Sequence, residues 1–196
     1  MIYRSTMNGL PVCTGDIICT TDGSAATTMG KLWQALGLLV PGEVDHTVLY
    51  LGPGGRCVEA GARGVLLFDM PGERWEAGQL AGERWLIDSL VGVAYPLADR
   101  AAPGVSADEV RAAVADYCAL QAAEDKPYNV NFFDPNTDAA FYCSQLIYKA
   151  YREFGLDVSV PPGAPSADAT RIVVPQMLWQ SSQQRRVSKA ALEQES

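Results

Sequence analysis

Short apolar runs, cut by glycine- and proline-rich turns, fill the first half of the chain, and two amphipathic helical periods fill the second. Asp16–Thr20 (DIICT) follows Gly15 and reads as a strand. Ser24 is placed to cap a helix reaching about Leu36, with Met29, Leu32, Trp33 and Leu36 at helical spacing; Gly37 and Pro41-Gly42 end it. Then comes a hairpin signal. His46–Leu51 (HTVLYL) and Arg56–Ala60 (RCVEA) flank the turn-forming Gly52-Pro53-Gly54-Gly55. Val65–Met70 gives a third run, and Trp85–Leu97 holds at least one more strand, ended by Pro96. Between them, residues 71–84 are rich in Gly and Glu and carry no clear period.

In the second half, Ser106-x-x-Glu109 is a capping box opening a helix to about Glu124, with a stripe of Val110, Ala113, Val114, Tyr117 and Leu120. Lys126–Asp138 reads as a loop. The next helix covers roughly 143–154, turns Leu146, Ile147, Ala150, Tyr151 and Phe154 inward, and stops at Gly155. A Pro-rich loop at 161–165 precedes Ile172-Val173-Val174-Pro175, and a polar, frayed tail is expected from Ser181. Strands followed by helices predict an α+β fold, a small antiparallel sheet packed against helices. One domain is expected over 1–180, with a C-terminal tail over 181–196.

Composition narrows the function. At 48% hydrophobic and 19% charged, the chain is globular in character, and its net charge of -8 repels both phosphate backbones and anionic membrane. No apolar stretch is long enough for a membrane span, and the N-terminus lacks a signal-peptide pattern, so a cytoplasmic protein is expected. The five cysteines are odd in number and form no C-x-x-C pair, which disfavours a disulfide framework or a structural zinc site; no metal or cofactor is expected. A single histidine, His46, must serve any chemistry that needs an imidazole.

Three residues then stand together. Cys143 lies between the loop DPNTD and an amphipathic helix. A thiol at a helix N-terminus meets unpaired N–H groups and the positive end of the macrodipole, which favour the thiolate and can hold an oxyanion. If Asp138 caps the helix instead, Cys143 lies a full turn inside and that effect shrinks; the competing reading is a buried small hydrophobe. Cys13, Cys19, Cys57 and Cys118 sit in or beside strands and mid-helix, where the core reading leads. A symmetric turn at 52–55 pairs Leu51 with Arg56, Leu49 with Val58 and Val48 with Glu59. Glu59 then shares a face with His46, diagonally two residues away and within side-chain reach. There a carboxylate can accept from one imidazole nitrogen and leave the other for a thiol proton. Asp45 points to the opposite face. A three- or five-residue loop would flip this register, and a solvated strand carboxylate is the plain alternative for Glu59.

The ordered set carries a family resemblance. G-D-I-I (Gly15–Ile18), a helix, D-H-T-V-L-Y-L-G (Asp45–Gly52), V-E-A (Val58–Ala60), K-P-Y-N (Lys126–Asn129) and F-Y-C-S-Q-L-I-Y-K-A-Y (Phe141–Tyr151) together resemble the permuted NlpC-type papain-like cysteine hydrolases. The likeness is to the YiiX/YaeF-like branch, distantly similar to lecithin retinol acyltransferase, and spans roughly residues 15–175. It implies a circularly permuted papain-like fold in which the histidine strand precedes the cysteine helix. It further implies Cys143 as nucleophile, His46 as general base, Glu59 as the orienting third residue and Tyr128 bordering the oxyanion and substrate site. It also supports starting the helix at Cys143. The implied activity is that of an amidase or peptidase acting through an acyl-enzyme on a small peptide or amino-acid amide. The alternatives are an acyl or lipid thioesterase or acyltransferase, which would take an acyl substrate, and a non-catalytic binding module.

Overall fold

The computed structural model describes residues 1–21, 42–166 and 171–188. The helix expected from Ser24 to about Leu36 and the last eight residues lie outside them. Eight strands are described: β1 (Arg4–Met7), β2 (Leu10–Cys13), β3 (Ile17–Thr21), β4 (His46–Gly52), β5 (Arg56–Gly61), β6 (Gly64–Asp69), β7 (Ser89–Ala94) and β8 (Arg185–Val187). The helices are α1 (Ala77–Arg84), α2 (Ala107–Ala123), α3 (Cys143–Arg152) and α4 (Pro175–Ser181). The architecture is α+β: a six-stranded antiparallel sheet, in the order β6-β5-β4-β3-β7-β8, beside a two-stranded one formed by β1 and β2.

Alternation along the central strands divides the core. Ile17, Cys19, Leu49, Val58 and Ala60 face the apolar layer of α2, α3 and α4, where Val110, Val114, Leu146, Ile147, Tyr151, Leu178 and Trp179 are buried. Ile18, Val48, Tyr50, Cys57 and Phe68 face the other way, onto Met7, Val12, Met70, Trp75 and Leu80 from the small hairpin and α1. Adjacent side chains on a strand point to opposite faces, so each central strand feeds both layers.

The central elements follow the sequence reading. The capping box of α2 forms in full, with the Ser106 Oγ accepting from the Glu109 amide and the Glu109 carboxylate accepting from the Ser106 amide. Helix α3 begins at Cys143, with Asp138 a turn earlier in the loop, and Gly155, at φ 69°, follows its end. In α2 the inward stripe is rotated: Leu120 is 54% exposed, while Cys118, Gln121 and Ala122 are buried.

Three elements differ from expectation. Asn8-Gly9, both at positive φ, form the two-residue turn that joins β1 to β2, a hairpin unmarked above because its strands are short. Residues 71–84 close a 3-10 turn and continue into α1. The tail expected from Ser181 instead ends α4 and returns as β8 on β7, with the Tyr95 amide bonded to the Gln184 carbonyl and the Ser188 amide to that of Val91. Its charged Arg185 and Arg186 suit a sheet edge, and for that reason the segment reads as a solvated tail.

Candidate active site

The hairpin that carries His46 and Glu59 is built differently from the symmetric turn. Its connection is a three-residue 3-10 turn, Pro53–Gly55, and Gly52, not Leu51, pairs with Arg56. A three-residue loop alone would reverse the register. Between Tyr50 and Gly52, however, β4 carries a bulge, and the extra residue, Leu51, restores it. Leu49 therefore still pairs with Val58, and His46 and Glu59 keep a common face. His46 opens β4 directly across from Thr20 of β3.

On that face the His46 Nε2 lies 2.7 Å from the Glu59 Oε2, and both side chains are buried. Gly61 leaves space for the Glu59 carboxylate: a Cβ there would lie 3.1 Å from its other oxygen, Oε1. Asp45 accepts instead from the Thr21 hydroxyl at 3.1 Å. The Cys143 thiol is the other side chain near enough to the imidazole to act on its titration. With Nε2 committed to the carboxylate, Nδ1 is the nitrogen left for the sulfur. Burial pulls the imidazole pKa down, but the charge and hydrogen bond of Cys143, together with Glu59, outweigh it and hold His46 well above the ordinary histidine value. Burial also penalises the Glu59 carboxylate; its bonds to His46 and Arg84 overcome this and bring its pKa down to about 2.

Cys143 is the first residue of α3, and Tyr142 stands at the cap position. The first bond back into the helix is from the Leu146 amide to the Tyr142 carbonyl, so the amides of the first turn have no acceptor within the helix. Gln145 fixes this helix start. Its side-chain oxygen accepts from the Tyr142 amide and from the Asn129 side chain, each at 3.1 Å, and its nitrogen donates to the Pro135 carbonyl. The K-P-Y-N segment runs parallel to the residues before the cysteine: Tyr128 bridges to Phe141, and the Asn129 amide donates to the Phe141 carbonyl. Burial, and after it the nearness of Cys143, raise the Tyr128 phenol pKa well above normal. Phe132 links the rings of Tyr128 and Tyr142 into one aromatic wall.

The structure thus brings Cys143, His46, Glu59 and Tyr128 together. The other four cysteines are unpaired by disulfide and buried, and burial raises the thiol pKa of each. Sequence reasoning missed a second layer behind Glu59. Arg84, at the end of α1, donates from Nε to the Glu59 Oε1 at 2.9 Å and from Nη2 to Oε2 at 2.7 Å. The same guanidinium reaches both oxygens of Asp88, at 2.7 and 2.9 Å, and Asp88 accepts from the Thr20 hydroxyl at 2.7 Å. Trp75 and Phe68 cover Arg84, their ring centres 4.6 and 4.8 Å from it. The i, i+4 spacing of Arg84 and Asp88 was visible, but nothing local tied either of them to a strand some 25 residues away.

No cluster of His, Cys, Asp and Glu that could hold a metal ion occurs among the described residues, and no described helix is long and apolar enough to cross a membrane. Comparison of the chain with family models, with curated proteins and with solved structures gives no match.

Proposed function

We propose that this protein is a cysteine-dependent hydrolase, an amidase or peptidase, with Cys143 as nucleophile, His46 as general base and Glu59 as the residue that orients it. The observation that carries this reading is the placement of the chain's only imidazole. One nitrogen is held by a buried carboxylate at 2.7 Å, and a thiol at the first residue of a helix lies near enough to act on the ring's titration. The order of histidine strand, carboxylate strand and cysteine helix also supports the permuted NlpC-type relationship.

The chemistry follows from the groups. His46 takes the Cys143 proton on Nδ1, and the resulting thiolate attacks the substrate carbonyl carbon. A C–S bond forms, and the carbonyl oxygen becomes an oxyanion, which the first-turn amides of α3 are positioned to receive, with Tyr128 at its border. When the intermediate collapses, the C–N bond breaks and His46 returns its proton to the leaving amine. Water, deprotonated by the same Nδ1, then attacks the thioester; the acid leaves and Cys143 is regenerated. Throughout, Glu59 stabilises the imidazolium without taking its proton. Five reduced, buried thiols suit a reducing compartment, consistent with a cytoplasmic enzyme.

The test is a screen of dipeptides, amino-acid amides and acyl esters, run beside Cys143→Ala and His46→Ala. Iodoacetamide labelling at mildly acidic pH, read by mass spectrometry, accompanies it. The expected result is amide turnover abolished by either substitution and selective labelling of Cys143. Labelling that favours Cys57 or Cys118, or turnover that survives Cys143→Ala, would sink the reading. Turnover of acyl esters alone, with transfer to an alcohol or amine, would replace it with an acyltransferase.

A further inference from the structure

We propose that Arg84 is a positioning residue of this site: anchored by Asp88, it locks the Glu59 carboxylate so that His46 must donate through Nε2 and present Nδ1 to Cys143. The proposal rests on the reading of Cys143 and His46 as the reacting pair.

A lone contact with His46 would leave Glu59 free to rotate and, in a buried setting, to take up a proton. Arg84 removes both freedoms. Its two bonds to Glu59 use both carboxylate oxygens, and its two bonds to Asp88 fix the guanidinium from the far side. The planar fork of arginine suits two carboxylates at once, which a lysine ammonium does not. Trp75 and Phe68 exclude water from it, and Trp75 is itself tied down, donating from its indole to the Asp88 carbonyl. An ionised carboxylate can only accept hydrogen bonds. The nitrogen facing Glu59 is therefore the one that carries a proton, and the thiol's proton can go only to the other.

The groups around Glu59 and His46 come from six places. They are Thr20 on β3, Cys57 on β5, Arg84 on α1, Asp88 before β7, Cys143 on α3 and, beyond the thiol, the phenol of Tyr128. In the reacting state the charged members alternate in sign: thiolate, imidazolium, Glu59, Arg84, Asp88. Without Arg84, Glu59 and Asp88 are two buried carboxylates with no cation between them, and one of them takes a proton. A protonated Glu59 can donate to Nε2, which selects the Nδ1–H form of the imidazole, unable to accept from the thiol.

A single histidine makes the test direct, because its imidazole gives one set of ¹⁵N resonances. Those shifts would be followed with pH in wild type, Arg84→Lys, Arg84→Met and Arg84→Met/Asp88→Asn, together with the pH-rate profile of Cys143 alkylation by iodoacetamide. Wild type is expected to show the Nε2–H form when neutral. Arg84→Met should populate Nδ1–H, move the acid limb of alkylation upward and slow the reaction near pH 6 by ~10-fold or more, since one pKa unit is tenfold. Arg84→Lys keeps the charge without the fork, and the double variant removes the like charge, so both should fall between. If Arg84→Met does not fold, those two carry the comparison. Wild-type shifts and a wild-type acid limb in the folded variants would overturn the proposal, even with a lowered melting temperature, because a purely structural arginine would move only the latter. Failure of the hydrolase reading looks different: alkylation of another thiol in wild type, or a rate indifferent to His46→Ala. The resonance comparison still decides what Arg84 does to the imidazole in that case.

Discussion

One face of the six-stranded sheet is covered by α2, α3 and α4, and its contacts are hydrocarbon on hydrocarbon: Ile17, Leu49 and Val58 against Val110, Val114, Leu146 and Ile147. The opposite face begins the same way, with Ile18, Val48, Tyr50 and Phe68, but toward one end it buries Thr20, His46, Glu59, Arg84 and Asp88. The first face tolerates approximate packing, because volume and polarity are all it must satisfy. The second has no such latitude. Each buried charge there costs several kcal/mol unless paired, and removing one partner strands another. Cys143 comes from the helix layer and His46 from the charged face, so the candidate site lies where the two regimes meet, at the start of β4.

The largest effect expected tests that meeting point. Cys143→Ala should lower turnover by on the order of 10³-fold or more, as loss of a nucleophile does. Cys118→Ala, equally buried in the apolar layer, should leave turnover unchanged and cost only stability. Kinetics and thermal melts of the two variants separate the regions. Comparable losses of turnover in both would mean that the cysteines are merely structural.

Glu59→Gln comes next. An amide keeps the shape but not the charge, so kcat should fall by ~10–100-fold with a smaller change in KM, less than the ~10²–10⁴-fold that loss of the general base itself would cost. The same variant carries a stability signature. Because the folded-state pKa of Glu59 is lowered from 4.5 to about 2, its contribution to stability is present above about pH 4.5 and is lost as the pH falls toward 2. His46, raised, contributes in the opposite direction: its share is present below about pH 6.5 and is lost as the pH rises through its folded value. Melts from pH 2 to 9 should show the acid-side loss in wild type and a flatter acid side in Glu59→Gln. In contrast, Leu146→Ala on the apolar face should cost ~2–5 kcal/mol with no such pH dependence. A Leu146→Ala penalty that varies with pH as steeply as the wild-type acid limb would erase the distinction between the faces.

The sequence showed the apolar face more fully than the charged one, for physical reasons. Helices α2 and α3 and the strands from β3 to β6 follow from periodicity, capping and turn chemistry, which are local; the start of α3 at Cys143 rather than at Asp138 rested on the family resemblance. Leu120 was misplaced because hydrophobicity alone does not fix a helix's rotation. The His46–Glu59 pair was legible only through strand register, and the assumed turn was wrong in form: the Leu51 bulge compensates for a three-residue loop, and no residue type announces a bulge. The tie of Arg84 and Asp88 to Glu59 was not legible, since α1 lies in a segment without a clear period and its partner is on a distant strand. The Asn8-Gly9 turn belongs to the same blind region. Asn8 bonds the backbone of Trp75, which covers Arg84, so a short hairpin near the N-terminus helps to seal the charged face.

The smallest expected effect sharpens the comparison most finely, because it adds a single methyl group. Gly61 ends β5, where a Cβ would sit 3.1 Å from the Glu59 Oε1 and 3.3 Å from its carboxyl carbon. That is tighter than ordinary van der Waals contact, yet relief needs only a few tenths of an ångström. On the apolar face such a shift would be absorbed by neighbouring methyl groups. Here the carboxylate is held by Arg84 and His46 at 2.7–2.9 Å, so the displacement lengthens one of those bonds. The Arg84 fork is anchored by Asp88 and the imidazole is not, so the His46 contact yields first. Gly61→Ala should therefore fold with a change of about 1 kcal/mol or less, within the range of mild substitutions, while kcat falls by ~3–10-fold. Titrating the single imidazole by NMR checks the cause: its pKa should drop toward the ordinary histidine value as the carboxylate withdraws. An unchanged titration beside an unchanged kcat would mean that the carboxylate has slack, and that the charged face tolerates error as the apolar one does.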